Sequence, residues 1–444
     1  MLRPGIAASL RSVTRGATPF QPRLLAPASM RLALGADCAF QRRALAASSL
    51  AQLPRLPLAS IRPRTVIQRQ AASQPDSDEE GPLPPPPEDV SAPSIPRALL
   101  FLYGFSSLAL GGAALYSLRD TQHVADELRG ARDVFGSISS YLTGDEGTSI
   151  WGRGVTEKRL QMVKKHETAE RLGVRMQWLM GWCEQLHLPS SVTETIGRAY
   201  IICAEAYLDL APSKQVVLPI VALNAAVFVA WTVAARRGGG WMMRNFLHRP
   251  SSNRMRTLLT SVFSHQTLIH FGLNNMALWS FGGAALYAAS QQHKRVPEAS
   301  PTPHFLAFFA TAGVFAATVS HIVTAIRFRR VAALRGLDVA KSTVGRQASL
   351  GSSGAVYAAL VMSACAFPDA KLGIILLPFV TFPIGVGVAG LVALDVAGIV
   401  LRWRLFDHWA HLAGAAFGYA YFHVGAKAWE DLKLMLLAQM RAHK

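Results

Sequence analysis

Apolar runs of membrane length alternate along this chain with polar, arginine-bearing stretches. The first, Ala98–Leu118, is bracketed by Arg97 and Arg119. It comes close to the roughly 20 residues that a helix needs to span a bilayer. Six more follow: Val216–Ala235, Thr267–Ala289, Phe305–Ile326, Leu350–Phe367, Ile384–Leu401 and Phe406–Val424. Ile374–Leu377 ahead of Pro378 is apolar but short, an interfacial piece or an extension of its neighbour. Residues 119–215 return to a soluble composition with apolar positions at helical spacing. Within them, Ser191-Val192-Thr193-Glu194 after Pro189 has the form of a capping box opening a helix. The pattern predicts an all-α polytopic membrane protein. One helix at 98–118 stands apart, a soluble helical insertion fills 119–215, a six-helix block spans 216–425, and a tail covers 426–444.

The N-terminal quarter changes the picture. Residues 1–72 carry positive charge only as arginine, from Arg3 to Arg69, with Asp37 as their one acid. That make-up matches an organelle transit peptide, an Arg-rich amphipathic helix that excludes acids, and the expected address is mitochondrial. The acidic and proline-rich stretch 73–97 (Asp76-Ser77-Asp78-Glu79-Glu80, then Pro84 to Pro87) reads as a semi-extended linker. Composition agrees with a membrane protein: 51% hydrophobic, 16% charged, net charge +18. The basicity gathers in the tail and in particular loops, so it speaks for targeting and topology. A nucleic-acid ligand is not expected, because no basic face carries base-reading residues. Cys38, Cys183, Cys203 and Cys365 are scattered without a CxxC pair, so neither a disulfide framework nor a zinc site is expected.

Loop charge sets orientation. Loops 236–257 and 327–349 and the turn 402–405 are rich in arginine, whereas Lys294, Arg295 and Lys371 are all that the intervening loops offer. An even number of spans separates each basic loop from the N-terminus, so all lie on one side. The positive-inside rule makes that side the matrix, if the membrane is the mitochondrial inner membrane.

That parity brings polar residues together. His270, Ser353 and His411 each follow one of the basic segments, at the starts of the second, fourth and sixth spans of the block. Three helices running in the same direction place them at similar depth, and Asn274 lies one turn beyond His270 on the same face. Polar groups at membrane depth are expensive and usually functional. A serine becomes a nucleophile when a histidine takes its proton. Small residues (Gly354, Ala355 and Ala358 on one helix, Gly414 and Gly418 on the other) allow the close approach this requires. An oxyanion would need donors: the Ser353 N–H at a helix start, with His270 and Asn274 as side-chain candidates. No acid stands beside these residues in sequence, so the expectation is a Ser–His dyad. Asp395, inside the fifth span, reads as a polar contact between helices. His408 and His411 as metal ligands would lack an HExxH motif, and no cofactor is expected.

The set HxxxN (His270, Asn274), GxSG (Gly351, Ser353, Gly354) and AHxxG (Ala410, His411, Gly414), in this order, resembles the rhomboid family of intramembrane serine proteases. Phe406-Asp407-His408-Trp409-Ala410-His411 and Phe263-Ser264-His265, with the one-plus-six layout and presequence, resemble its mitochondrial presenilin-associated subfamily in particular. The resemblance implies a six-helix rhomboid core. In it Ser353 is the nucleophile, His411 the base, and His270 and Asn274 belong to the oxyanion hole. It also implies that Tyr357 stacks on the histidine and that Gly351 brings backbone to the scissile bond. The motif spacing selects Ser353 over Ser352 and His411 over His408. The Trp-Arg pair of many bacterial rhomboids is not evident, since Trp241 and Arg244 are separated. Implied partners are lipid and the transmembrane segments of inner-membrane proteins. The rival expectation is a silent rhomboid-like scaffold that binds membrane helices without cutting, with a transporter more distant.

Overall fold

The computed structural model describes residues 90–143, 148–153, 155–236, 238–374, 377–403 and 406–442. The transit peptide and most of the linker lie outside the described residues. The described chain is helical apart from short strands. Its main helices are α1 (Ile95–Thr143), α2 (Glu157–Gln185), α3 (Ser190–Asp209), α4 (Leu218–Ala235) and α5 (Leu268–Gln292). They are followed by α6 (Thr302–Arg335), α7 (Ser353–Ala366), α8 (Ile384–Val400), α9 (His408–Ala420) and α10 (Ala426–Ala442).

The first helix differs from the expected 98–118 span in length and in company. Pro96 stands in its opening turn, where the missing N–H does no harm, and no proline follows before Thr143, so nothing stops it at Leu118. Nor is it set apart. Ala98 packs with Leu258 and with Val314 of α6, flanked by Phe101 and Phe105. Farther along, Leu118, Val124 and Ala125 join Val296, Ala299 and Leu437. Among the described residues, Ile95–Arg129, Pro212–Ala235 and Thr302–Arg335 are long and apolar enough to cross a membrane. Ser353–Ala366 and Ile384–Val400 are shorter apolar helices. The count of one plus six is therefore not reproduced by helix length alone.

Within 119–215, α2 and α3 form a helical pair. Thr156 caps α2, its side chain accepting from the Arg159 N–H. Tyr200 donates to the Leu172 carbonyl at 2.8 Å, and Gly197 lies against Met180. The helix expected after Pro189 is present, but its capping box is not. Ser191 sits inside α3, its carbonyl accepts from the Thr195 hydroxyl, and Glu194 pairs with Arg198 at 3.6 Å. The short apolar stretch near 374 belongs to a hairpin, β1 (Lys371–Ile374) with β2 (Leu377–Pro383), antiparallel with Leu372 opposite Phe382.

The core of the block is built from α4 with its N-cap Val217, α5, α6, α7 and the turn that follows α9: Val217, Ile220, Leu278, Phe305, Phe308, Phe309, Ala355, Ala358 and Tyr421. Loop 236–257 is folded onto this core. His248 and Ser349 exchange backbone hydrogen bonds of 3.0 and 2.9 Å, and the Ser251 hydroxyl donates to the Gly345 carbonyl. Two buried asparagines join α4 to α5, Asn224 donating to Asn275 at 3.0 Å.

What reads in sequence as a tail is α10, reached from α9 through a π-helical turn, Tyr421–Gly425. Lys433 on α10 is fully buried between Glu430 (2.7 Å) and Glu298 (3.0 Å), and also donates to the Val296 carbonyl. Glu430 accepts the backbone N–H groups of Arg295 and Val296, and Glu298 accepts from Ser117 of α1 and from Trp429. One buried ammonium thus ties α1, the loop after α5 and α10 together. Removing one partner from a buried ion pair typically costs about 3–5 kcal/mol, because the remaining charge is uncompensated. Lys433→Met is expected to destabilise the protein by that order in thermal unfolding in lipid. Adding Glu430→Gln to it should recover part of the loss.

Candidate active site

Two helix starts define the site. Asp407 caps α9: its carboxylate accepts from the Ala410 N–H at 3.1 Å and from Ser320 of α6 at 2.6 Å. The cap places His408 and His411 in the first turns of α9. At the other start, Gly351 adopts φ +124°, a conformation that favours glycine. Its N–H donates to the Ser261 carbonyl at 2.9 Å, and α7 then begins at Ser353.

Close backbone packing brings the starts together. A Cβ on Gly414 would stand 2.0 Å from the Gly354 carbonyl oxygen, and one on Gly418 would stand 2.2 Å from that of Ala358. Gly354 itself lies against Ala316 of α6. With α7 and α9 this close, Ser353 Oγ lies 2.9 Å from His411 Nε2. Ser353 is half-buried and His411 is buried.

The environment of that pair departs from the expected dyad. Asp395, fully buried on α8, places Oδ1 3.0 Å from His411 Nδ1. The same oxygen lies 2.7 Å from His408 Nδ1. Oδ2 accepts from the Tyr357 hydroxyl at 2.7 Å, and the Tyr357 ring stacks on His411 with centroids 4.5 Å apart and planes 12° apart. The acid is near the site because α8 packs beside α7 and α9, a juxtaposition that sequence order does not reveal. Its signal was its solitude, as the one acid inside Ile384–Val400. Asp395 does connect helices, as expected, and one of the side chains it reaches is His411.

His270 and Asn274 lie beside the serine pair. A Cβ on Gly351 would come within 2.6 Å of the His270 ring, so the ring lies directly against the backbone preceding Ser352 and Ser353. The Asn274 amide donates to the His270 carbonyl at 2.9 Å, and its oxygen accepts from Ser352 at 3.4 Å. Ser352 is fully buried, and its hydroxyl also meets His265 Nε2 at 3.2 Å. The two adjacent serines therefore have different environments: Ser352 faces His265 and Asn274, and Ser353 faces His411. His265 stands edge-on to His270, with centroids 5.0 Å apart. Trp241 is exposed and rests against Phe246. Among the described residues no group of three or more His, Cys, Asp or Glu side chains is arranged to hold a metal ion.

The arrangement is that of a serine beside a histidine, with a carboxylate on the far side of the imidazole and the His270 and Asn274 side chains alongside. Residues 252–428 match the family model of the Rhomboid domain, and the fold is that of an all-α polytopic membrane protein. It is similar to the presenilin-associated rhomboid-like protein A, mitochondrial, of Danio rerio, 28% identical over 370 residues that cover 80% of each chain. It is 33% identical to the presenilin-associated rhomboid-like protein, mitochondrial, of Bos taurus over 219 residues, 49% of this chain and 50% of that one. The rhomboid protein 1, mitochondrial, of Saccharomyces cerevisiae is 30% identical over 223 residues, 49% of this chain and 55% of that one. In these last two alignments the chain spans only about half the length of its relative. No solved structure matches the chain.

Proposed function

We propose that this protein is a mitochondrial intramembrane serine endopeptidase that hydrolyses peptide bonds in or near the transmembrane anchors of other membrane proteins. The observation that carries the reading is the 2.9 Å contact between Ser353 Oγ and His411 Nε2 across two helix starts that glycines hold together. His411 takes the Ser353 proton as the oxygen attacks the scissile carbonyl, and returns it to the leaving amine. The tetrahedral oxyanion is met by the Ser353 N–H, which at a helix start lacks an intrahelical partner, and by donors from His270 and Asn274. Each such donor is worth about 10²–10³-fold in rate. Water then releases the acyl-enzyme, with His411 again as base. The half-buried position of Ser353 near the helix ends, not midway along them, gives water a short path.

Location follows the same reading. The arginine-rich, acid-poor N-terminus and the mitochondrial relatives support a multi-pass protein of mitochondria. We place it in the inner membrane, with the basic loops and the active-site side toward the matrix.

The test uses the full chain in lipid vesicles. A reporter transmembrane helix with small, helix-destabilising residues near its end should be cut, and a fluorophosphonate probe should form an adduct that mass spectrometry assigns to Ser353. A protein that cuts none of a range of helices and takes up no probe would instead be a silent scaffold.

A further inference from the structure

The helical pair α2–α3 has two unlike flanks. Its contact side is fixed by Met176 and Met180, which meet Gly197, and by Leu172, whose carbonyl accepts from Tyr200. Residue numbers fall on α3 as they rise on α2, so the helices are antiparallel. At about 100° per residue, Arg171, Arg175, Trp178 and Trp182 project from α2 to one flank of that contact. Val192, Ala199, Cys203 and Ala206 project from α3 to the same flank, because reversing a helix reverses the sense in which its residues turn. Glu170 and Glu184 of α2, with Glu194 and Glu205 of α3, fall on the other flank. All of these side chains are exposed. One flank is therefore basic and apolar, and the other is acidic.

Trp178 is 66% exposed, whereas tryptophan is on average well buried, and it leans on Trp182 with ring centroids 5.5 Å apart. An exposed apolar patch of this kind marks a contact with protein or membrane. The roots of the pair decide between them. At one root Lys164 of α2 pairs with Asp120 at 2.6 Å, just past the apolar run of α1 that ends at Leu118. At the other, only Leu210 and Ala211 separate α3 from Pro212–Ala235, which is long and apolar enough to cross a membrane. Those two residues hold ψ at 140° and 142°, and Pro212 disfavours helix at the residue before it. The Gln215 side chain locks this bend, donating to the Tyr207 and Leu210 carbonyls at 3.0 and 3.1 Å. The helix axis is thus broken where the apolar run begins, and both roots stand at the ends of apolar runs.

We propose that the α2–α3 pair lies on the bilayer surface by its basic, apolar flank. Trp178 and Trp182 sit at the boundary between headgroups and acyl chains, and Arg171 and Arg175 meet the phosphates of anionic lipids. Tryptophan is enriched at that depth, and basic residues beside it add attraction to anionic headgroups. The acidic flank then faces water, away from the lipid phosphates. α1 begins beside Leu258 of loop 236–257, and its farther part joins Val296 in the loop after α5. The pair therefore roots on the face away from Ser353, and its seat does not depend on the proposed cleavage.

The test puts the photoreactive residue p-benzoylphenylalanine in place of Trp178 or, one residue away on the acidic flank, in place of Gln177. Both positions are exposed, so neither replacement enters the core, and thermal unfolding in lipid confirms it. In the full chain, in vesicles containing anionic lipid, irradiation should give lipid adducts at 178 and about tenfold fewer at 177. Arg171→Gln with Arg175→Gln should lower the adduct at 178 by about threefold or more in those vesicles, and by much less in vesicles of phosphatidylcholine alone. Equal lipid adducts at the two positions, or none at either, overturn the proposal. A cross-link from 178 to a second copy of the chain overturns it too, because the flank is then an interface between copies. An adduct at 178 that the double variant leaves unchanged in anionic vesicles overturns the part given to the arginines.

Discussion

Ser353→Ala and His411→Ala are each expected to remove nearly all cleavage of a reporter helix, by a factor on the order of 10⁶ when the two residues act as a unit. The argument is that the proton transfer needs both. Without the imidazole the hydroxyl stays a weak nucleophile, and without the hydroxyl the imidazole has nothing to activate. The double variant should therefore be no slower than either single one, a non-additivity that separates a catalytic unit from two independent packing positions. Ser353→Ala should not unfold the protein, since Ser353 is half-buried and its helix is held by the Gly354–Gly414 contact. His411→Ala removes a buried partner of Asp395 and is therefore scored alongside its thermal unfolding. The neighbouring Ser352→Ala supplies the contrast. Its hydroxyl is fully buried among His265 and Asn274, so its removal leaves partners unsatisfied, at about 1–3 kcal/mol, and slows cleavage much less. Single-turnover cleavage in vesicles and thermal unfolding of the same samples check both halves. If Ser353→Ala cuts and Ser352→Ala does not, the nucleophile is the other serine and the His411 contact is incidental.

How far the sequence carries such an argument depends on which contacts are periodic. The convergence of His270, Ser353 and His411 was legible because three helix starts and their parity put them at one depth. The close approach of α7 and α9 was legible because Gly414 and Gly418 recur at small-xxx-small spacing. Asp395 was visible as an expensive carboxylate but not as the partner of His411. The turn around α8 that faces α9 depends on three-dimensional packing, and the pattern of apolar residues around Asp395 marks no preferred face. His408 posed the same problem, since nothing in its spacing distinguishes a spare histidine from one sharing a carboxylate with the base. Length failed in a different way. Hydropathy ends the first span at Leu118, but hydropathy reports solvent and not hydrogen bonding, and an unbroken helix crosses that boundary. The buried Lys433 shows the converse: a charged, soluble-looking segment reads as a tail until its counter-charges arrive from Glu298 and Glu430.

Gly414→Val is expected to damage the site without touching a polar atom. A Cβ at that position would lie 2.0 Å from the Gly354 oxygen and 2.7 Å from its carbonyl carbon. Non-bonded heavy atoms settle near 3.5–4.0 Å, so α7 and α9 would have to part by about 1 Å or more. The 2.9 Å contact from Ser353 to His411 spans the same gap, and a shift of that size takes it to or beyond hydrogen-bonding range. Misplacement of reacting groups by about 1 Å can cost about 10²-fold in rate. Over-packing adds about 1–3 kcal/mol of destabilisation. Gly272→Ala is the control: Gly272 lies on α5 two residues past His270, yet nothing stands within 4 Å of a Cβ there. Alanine also favours the helix over glycine by about 1 kcal/mol, so this variant should keep activity and gain a little stability. Measured together, by kcat on the reporter and by thermal unfolding in lipid, the pair separates a site that depends on helix separation from one that merely tolerates few changes. Full activity in Gly414→Val would mean that α7 and α9 can part without consequence, and then their approach is not what activates Ser353.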